Sequence, residues 1–154
     1  MEKQRLNYAQ VAPDSYRTMK AFSDYTKTSN LEPALKELVK IRASQINGCA
    51  YCLDMHTKDA RAAGETEERV YMLNAWRESS LYGERERAAL AWTEALTLLS
   101  ETHAPEEVYQ EVRRHFNEKE TADLTHAIVA INAWNRFMVA FRVPSGHYQP
   151  MGKS

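Results

Sequence analysis

From Glu118 to Phe141 the chain runs without a glycine or a proline. Leu124, Ile128, Ile131, Asn135 and Met138 recur there at spacings of three and four residues, with Ala127, Ala130, Trp134 and Phe137 beside them. That period is helical and incompatible with a strand, whose side chains alternate. It is the most apolar helical segment of the chain, so it is predicted to lie at the centre of a helix bundle. Asn117, with Glu120 three residues later, supplies a start resembling a capping box.

The rest of the chain has the same character. Ala, Leu, Glu, Lys and Arg, all strong helix formers, dominate it, glycine and proline number five each, and no alternating strand pattern of useful length occurs. The expected fold class is all-α, a bundle of about six or seven helices in a single domain over 1–154. Its core spans about 15–142, and an irregular C-terminal arm spans 143–154. A first helix is predicted from about Asp14 to Lys27, after Pro13, with Tyr16, Met19 and Phe22 at helical spacing. A second starts near Asn30 as its cap and carries Leu31, Leu35, Leu38, Val39 and Ile46; Pro33 is tolerated in its first turn, where amide donors are unpaired anyway. Asn47-Gly48 stops it. A third begins around Cys49 and ends at Gly64. Thr66 caps a fourth, bearing Val70, Leu73, Asn74 and Trp76. Gly83 precedes a fifth with Leu90, Ala91, Ala95, Leu98 and Leu99 inward, and Pro105 opens a sixth. The tail RVPSGHYQPMGKS, rich in proline and glycine, is expected to be frayed or packed on a neighbouring subunit.

Composition narrows the function classes. The chain has 154 residues, 44% hydrophobic and 27% charged, with a formal net charge of -1. This balance carries no basic excess for nucleic acid and no acidic block for a disordered tail. No apolar run is long enough for a bilayer, and the N-terminal residues lack the apolar core of a signal peptide. The expected location is the cytoplasm, with no membrane or nucleic-acid partner. In a reducing compartment a Cys-x-x-Cys pair points to catalysis or metal binding more than to a structural staple.

The two cysteines fall in NGCAYCLDMH, Asn47 to His56. On a helix starting at Gly48 or Cys49, Cys49 and Cys52 lie one turn apart, with Cα atoms roughly 5 Å from each other, within disulfide range. Cys52 and His56 are an i, i+4 pair whose side chains can meet. A helix N-terminus lowers a nearby thiol's pKa, which by itself favours Cys49 as the reactive thiol. A thiol with a base in reach and a second thiol to resolve it suits peroxide reduction, in which a sulfenic acid condenses to a disulfide. Two other readings stand beside it. Cys49, Cys52 and His56 could give three zinc ligands with an acid as the fourth, although no second ligand pair follows and one helix face rarely wraps a tetrahedral ion. The residues could also be two buried cysteines and a surface histidine. Leu53 after Cys52 excludes a c-type haem site, and the helical flanks disfavour a thioredoxin fold.

The segment ELVKIRASQINGCAYCLDMHTKDARAAGETEERV closely resembles the core of the AhpD-like (alkylhydroperoxidase D-like) branch of the carboxymuconolactone decarboxylase family. The signature is a glutamate followed at fixed spacing by C-x-x-C-x-x-x-H, met here by Glu37, Cys49, Cys52 and His56. The resemblance continues through LNAWRES, ERAALAWTEALT and INAWNR. It implies an all-helical fold assembled as a homo-oligomer, a trimer or hexamer, with peroxidase activity through the dithiol. By the same resemblance Cys52 is the peroxidatic thiol, Cys49 the resolving thiol, and Glu37 and His56 the proton relay. No cofactor is implied; an external dithiol or protein reductant must restore the pair. Better-studied peroxidase members carry a histidine where this chain has Tyr51, which can donate a hydrogen bond but is no base at neutral pH. The decarboxylase branch lacks the dithiol, so lactone decarboxylation is not expected.

The expected activity is thiol-dependent reduction of hydrogen peroxide or alkyl hydroperoxides, in a pocket lined by Leu53, Met55 and the last helix. The alternative is a non-catalytic redox sensor or oligomeric module with a switchable disulfide. Partial burial of Glu37 is expected to raise its pKa. His126 reads as a core or interface histidine, with lining of the pocket as the alternative, and His103, His115 and His147 as surface residues. Trp76, Trp92 and Trp134 read as packing, Asn135 as a satisfied buried amide, and Arg136 as a salt-bridge or interface residue. Asp54 and Asp59 read as solvated acids, although Asp59, on the side of Cys52, could instead orient His56.

Overall fold

A computed structural model describes residues 3–150. These residues form nine α-helices and two short 3-10 segments, with no strand among the described residues. The seven expected helices are α2 (Pro13–Asp24), α3 (Pro33–Ile46), α4 (Ala50–Ala62), α5 (Glu67–Met72), α6 (Glu84–Thr97), α8 (Glu106–His115) and α9 (Glu118–Ala140). Two one-turn helices are additional: α1 (Tyr8–Val11) and α7 (Leu99–Thr102).

The caps are mostly those the sequence announces. Thr66 Oγ1 accepts from Arg69 N, and Asn117 and Glu120 close a reciprocal capping box at α9. Asn30 is a correction. The second helix begins three residues later, with Glu32 at the N-cap, no side-chain cap, and Pro33 in its first turn. Leu99 is another. α6 ends at Thr97 and the backbone breaks at Leu98, so the stripe loses its period and Leu99 stands 51% exposed.

α3 packs against α4, α6 and α9, and so forms the centre together with α9. One face of α3 (Leu35, Val39) joins Trp92, Phe116, Leu124 and Ile128; another (Leu38, Ile41) joins Leu73, Trp76, Tyr82 and Leu90. A third cluster, Ala43, Cys49, Cys52, Ile131 and Met138, holds the dithiol against α9. Polar groups inside are paired. Asn135 is buried, donating to Ser44 Oγ at 3.0 Å and accepting from Asn47 Nδ2 at 2.9 Å, and Asn47 Nδ2 also reaches Asn132 Oδ1 at 2.9 Å. Arg136 donates to Asn132. Glu94, an unassuming helical charge in the sequence, is half-buried and accepts from Trp76 Nε1, Arg42 and Arg77. No helix of the described residues is long and apolar enough to cross a membrane.

Candidate active site

The site is built at the junction of α3 and α4. Gly48 takes the left-handed conformation, φ 63°, directly after α3. Its N–H donates to Gln45 O at 3.3 Å, and the Cys49 N–H reaches back to Ser44 O at 3.0 Å. This is a Schellman closure of α3, which satisfies carbonyls the helix end would leave unpaired. Cys49 is then the N-cap of α4, with its sulfur accepting from Cys52 N at 3.3 Å. One residue thus ends one helix and starts the next. The turn is pinned to α9 by the amide pairs of Asn47 with Asn132 and Asn135.

Cys49 and Cys52 form a disulfide with Cα atoms 5.4 Å apart, as one helical turn requires. Both residues are buried. They differ in outlook: Cys52 lines a cavity of about 590 Å³, and Cys49 is not among its lining residues. Met55 and His56 line the same cavity from α4, Lys40 from α3, and Ile131, Trp134 and Met138 from α9. Leu53 does not; it packs on the opposite side of α4, against the core of Leu38 and Ile41. Tyr51 also faces the cavity, and burial raises its phenol above the usual range, so it stays protonated at neutral pH.

Glu37 and His56 meet across α3 and α4. His56 Nδ1 lies 2.9 Å from Glu37 Oε2, and Lys40 Nζ lies 2.7 Å from Glu37 Oε1. Burial pushes the Glu37 carboxyl up, but the hydrogen bond and charge of His56, with Lys40 beside them, outweigh it and hold the group down at about 2. The expected rise of its pKa is therefore corrected: burial is present, but the paired cations win. An ionised carboxylate only accepts, so the bonded proton sits on His56 Nδ1, and Nε2 is the ring nitrogen that Glu37 leaves unengaged. Glu37, His56 and Asp59 each place one ligand-type atom within 4.8 Å of the others.

Both ends of the described residues fold onto this site. Tyr8 is buried, and its ring stacks on Phe137 at 4.3 Å; Tyr8 and Asn7 line the cavity. Arg5 N donates to Phe141 O at 2.9 Å, fixing the N-terminal segment beside the end of α9. The C-terminal arm is neither frayed nor turned away from its own subunit over the residues described. Gly146 N donates to Asp54 Oδ2 at 2.8 Å, Lys58 Nζ to Tyr148 O at 2.9 Å, and Tyr148 Oη to Asp59 Oδ1 at 2.7 Å. Asp54 and Asp59 are thus arm anchors and not solvated acids. His147, exposed as expected, still borders the cavity together with Val143 and Pro144. His126 lies away from the cavity, between Phe22 and Tyr25, with Nε2 2.7 Å from Phe22 O.

Comparison with known proteins places this geometry in a family. The model of the carboxymuconolactone decarboxylase family matches residues 13–95, which include Glu37 and the dithiol helix. The uncharacterised protein YdfG of Bacillus subtilis is 46% identical over 137 residues, 89% of this chain and 93% of that protein. A crystal structure from Agrobacterium tumefaciens superposes with a TM-score of 0.92 at 42% identity, covering 95% of this chain and all of that one. That protein is of unknown function and has been proposed as an antioxidant defence protein, AhpD. The debrominase Bmp8 shares the fold at 22% identity and a TM-score of 0.76, over 88% of this chain and 73% of its own. The chain belongs to the carboxymuconolactone decarboxylase family, in its AhpD-like branch.

Proposed function

We propose that the protein is a thiol-dependent peroxidase. The observation that carries this reading is the division of the dithiol: Cys52 opens to the cavity next to His56, while its partner Cys49 stays behind it in the core. In the reduced protein His56 Nε2 takes the Cys52 proton, with Glu37 holding the ring through Nδ1. The Cys52 thiolate attacks one peroxide oxygen. The O–O bond breaks, and the leaving alkoxide or hydroxide takes the proton from His56 to depart as alcohol or water. Cys52 is now a sulfenic acid. The Cys49 sulfur attacks it, the S–O bond breaks, hydroxide leaves with the Cys49 proton as water, and the disulfide is formed. Both electrons come from the two thiols, so the cycle requires no flavin, haem or metal. An external dithiol returns the pair to the thiol state.

His56 is the proton carrier in this scheme and Glu37 its fixed counter-charge, since a carboxyl held at about 2 does not release a proton near neutrality. The test is peroxide consumption by the reduced protein with a dithiol reductant present. Repeated turnover that disappears in Cys52→Ser is the expected outcome. A single stoichiometric oxidation refutes it and leaves a redox sensor, whose disulfide forms once and changes assembly instead of cycling.

A further inference from the structure

The arm carries one side chain to the acid-base cluster. Tyr148 Oη donates to Asp59 Oδ1 at 2.7 Å, 89 residues along the chain, and burial with this bond raises the Tyr148 phenol strongly. Asp59 lies one turn beyond His56 on the helix side of Cys52, with a carboxylate oxygen within 4.8 Å of a His56 ring nitrogen and of Glu37. Two carboxylates so near one imidazole compete for it. Only Glu37 has it, at 2.9 Å.

We propose that Tyr148 is a positioning residue that occupies the Asp59 carboxylate and so leaves Glu37 as the sole acid partner of His56. The inference rests on the reading of His56 as the site's base. A phenol O–H that binds an ionised carboxylate satisfies one of its lone pairs and fixes its orientation. Without that bond the Asp59 side chain is free to turn about its own torsions toward the imidazole, a ring nitrogen of which lies within 4.8 Å. The ring would then be shared by two anions, its doubly protonated form would be favoured, and its availability as a base would fall. The arm is held for this task at two further points, Gly146 to Asp54 and Tyr148 O to Lys58, so loss of the phenol oxygen alone leaves the strap attached.

The other groups around His56 do not supply the same effect. From α3 come Glu37 and Lys40, already paired with each other; from α4, Cys52 and Tyr51; from the arm, His147. Across the cavity Lys20 and Lys27 are both paired with Asp24. The helix α9 lines the cavity with Ala127, Ala130, Ile131, Trp134 and Met138, none of them titratable.

The experiment is an NMR titration of the His56 ring in the oxidised protein, its signals assigned by their absence in His56→Ala. This readout needs no peroxide turnover. Tyr148→Phe should move the His56 titration curve toward alkaline pH, and Asp59→Asn toward acid pH, each by about one unit, the scale of one nearby charge. The double variant Tyr148→Phe with Asp59→Asn should titrate as Asp59→Asn alone, because Tyr148 acts only through Asp59. An unmoved curve in Tyr148→Phe overturns the proposal, as does a double variant that retains a separate Tyr148 effect. If the shifts occur while the parent protein fails to turn over peroxide, the proposal stands and the peroxidase reading falls.

Discussion

Replacing Glu37 with glutamine tests whether the carboxylate is held by its cations or merely buried. The Glu37 side chain is 16% exposed, bonded to His56 at 2.9 Å and to Lys40 at 2.7 Å, and its pKa falls from 4.5 to about 2. A depressed carboxyl stabilises the fold fully above its unfolded pKa and loses that contribution as pH falls through the folded one. The contribution is about 3 kcal/mol at pH 5, shrinks as the pH falls below 4.5, and is nearly gone by pH 2. Urea unfolding followed by circular dichroism should therefore show Glu37→Gln less stable than the parent by about 3 kcal/mol at pH 5, a melting shift of about 6–12 °C for a chain of this size. The gap should close as the pH approaches 2. A gap of equal size at both ends would mean that shape or packing, and not charge, is what the carboxylate contributes.

Three further outcomes are expected. Cys49→Ser, exposed to one equivalent of peroxide, should hold a sulfenic acid at Cys52 that dimedone labels and mass spectrometry locates; a label in the Cys49 region of Cys52→Ser instead would reverse the roles. Gly48→Ala should cost about 1 kcal/mol in urea melts, since φ is 63° and open space surrounds the added carbon, so backbone strain is the whole effect. A neutral result there would refute the Schellman geometry. Asn135→Ala removes a donor to Ser44 and an acceptor for Asn47, and should cost about 2–3 kcal/mol because it leaves buried polar partners unmatched. A loss under about 0.5 kcal/mol would mean that the amide network does not tie the dithiol turn to α9.

What the sequence discloses is what obeys a local rule. α9 was readable because its period is written in adjacent turns, and the dithiol because three and four residues make one turn of helix. Asn135 was readable as a buried amide, but its partners were not, since Asn47 sits in a turn 88 residues away and carries no mark of the pairing. Glu94 carries no mark for a related reason: nothing in ERERAALAWTEALT tells a solvated glutamate from one clasped by Trp76, Arg42 and Arg77. Leu99 failed because a helix can end without glycine or proline; Leu98 turns out of the helical region, and the stripe breaks there. The arm's attachment to α4 left no mark in the sequence because backbone groups take part in it: Gly146 N and Tyr148 O are donor and acceptor that every sequence possesses.

This unevenness bears on function. Cys-x-x-Cys with a histidine one turn on is a statement about a single helix, and a single helix cannot distinguish a catalyst from a sensor. What separates them is whether a peroxide can be seated against Cys52 while Cys49 waits behind it. The cavity beside Cys52 is walled by Tyr8 and Asn7 from the N-terminal side, Val143 and His147 from the C-terminal arm, and Trp134 and Met138 from α9. The two cysteines and His56 are close in sequence because one turn of helix brings residues three and four apart together. The walls are distant in sequence because enclosing a cavity demands several elements, and no one element has faces enough to do it. Variants of the walls should therefore alter which peroxide is accepted while leaving disulfide formation by small oxidants intact, and variants of α4 should do the reverse. A wall change such as Trp134→Ala that slowed hydrogen peroxide and a bulky organic hydroperoxide by the same factor would show that the cavity does not select.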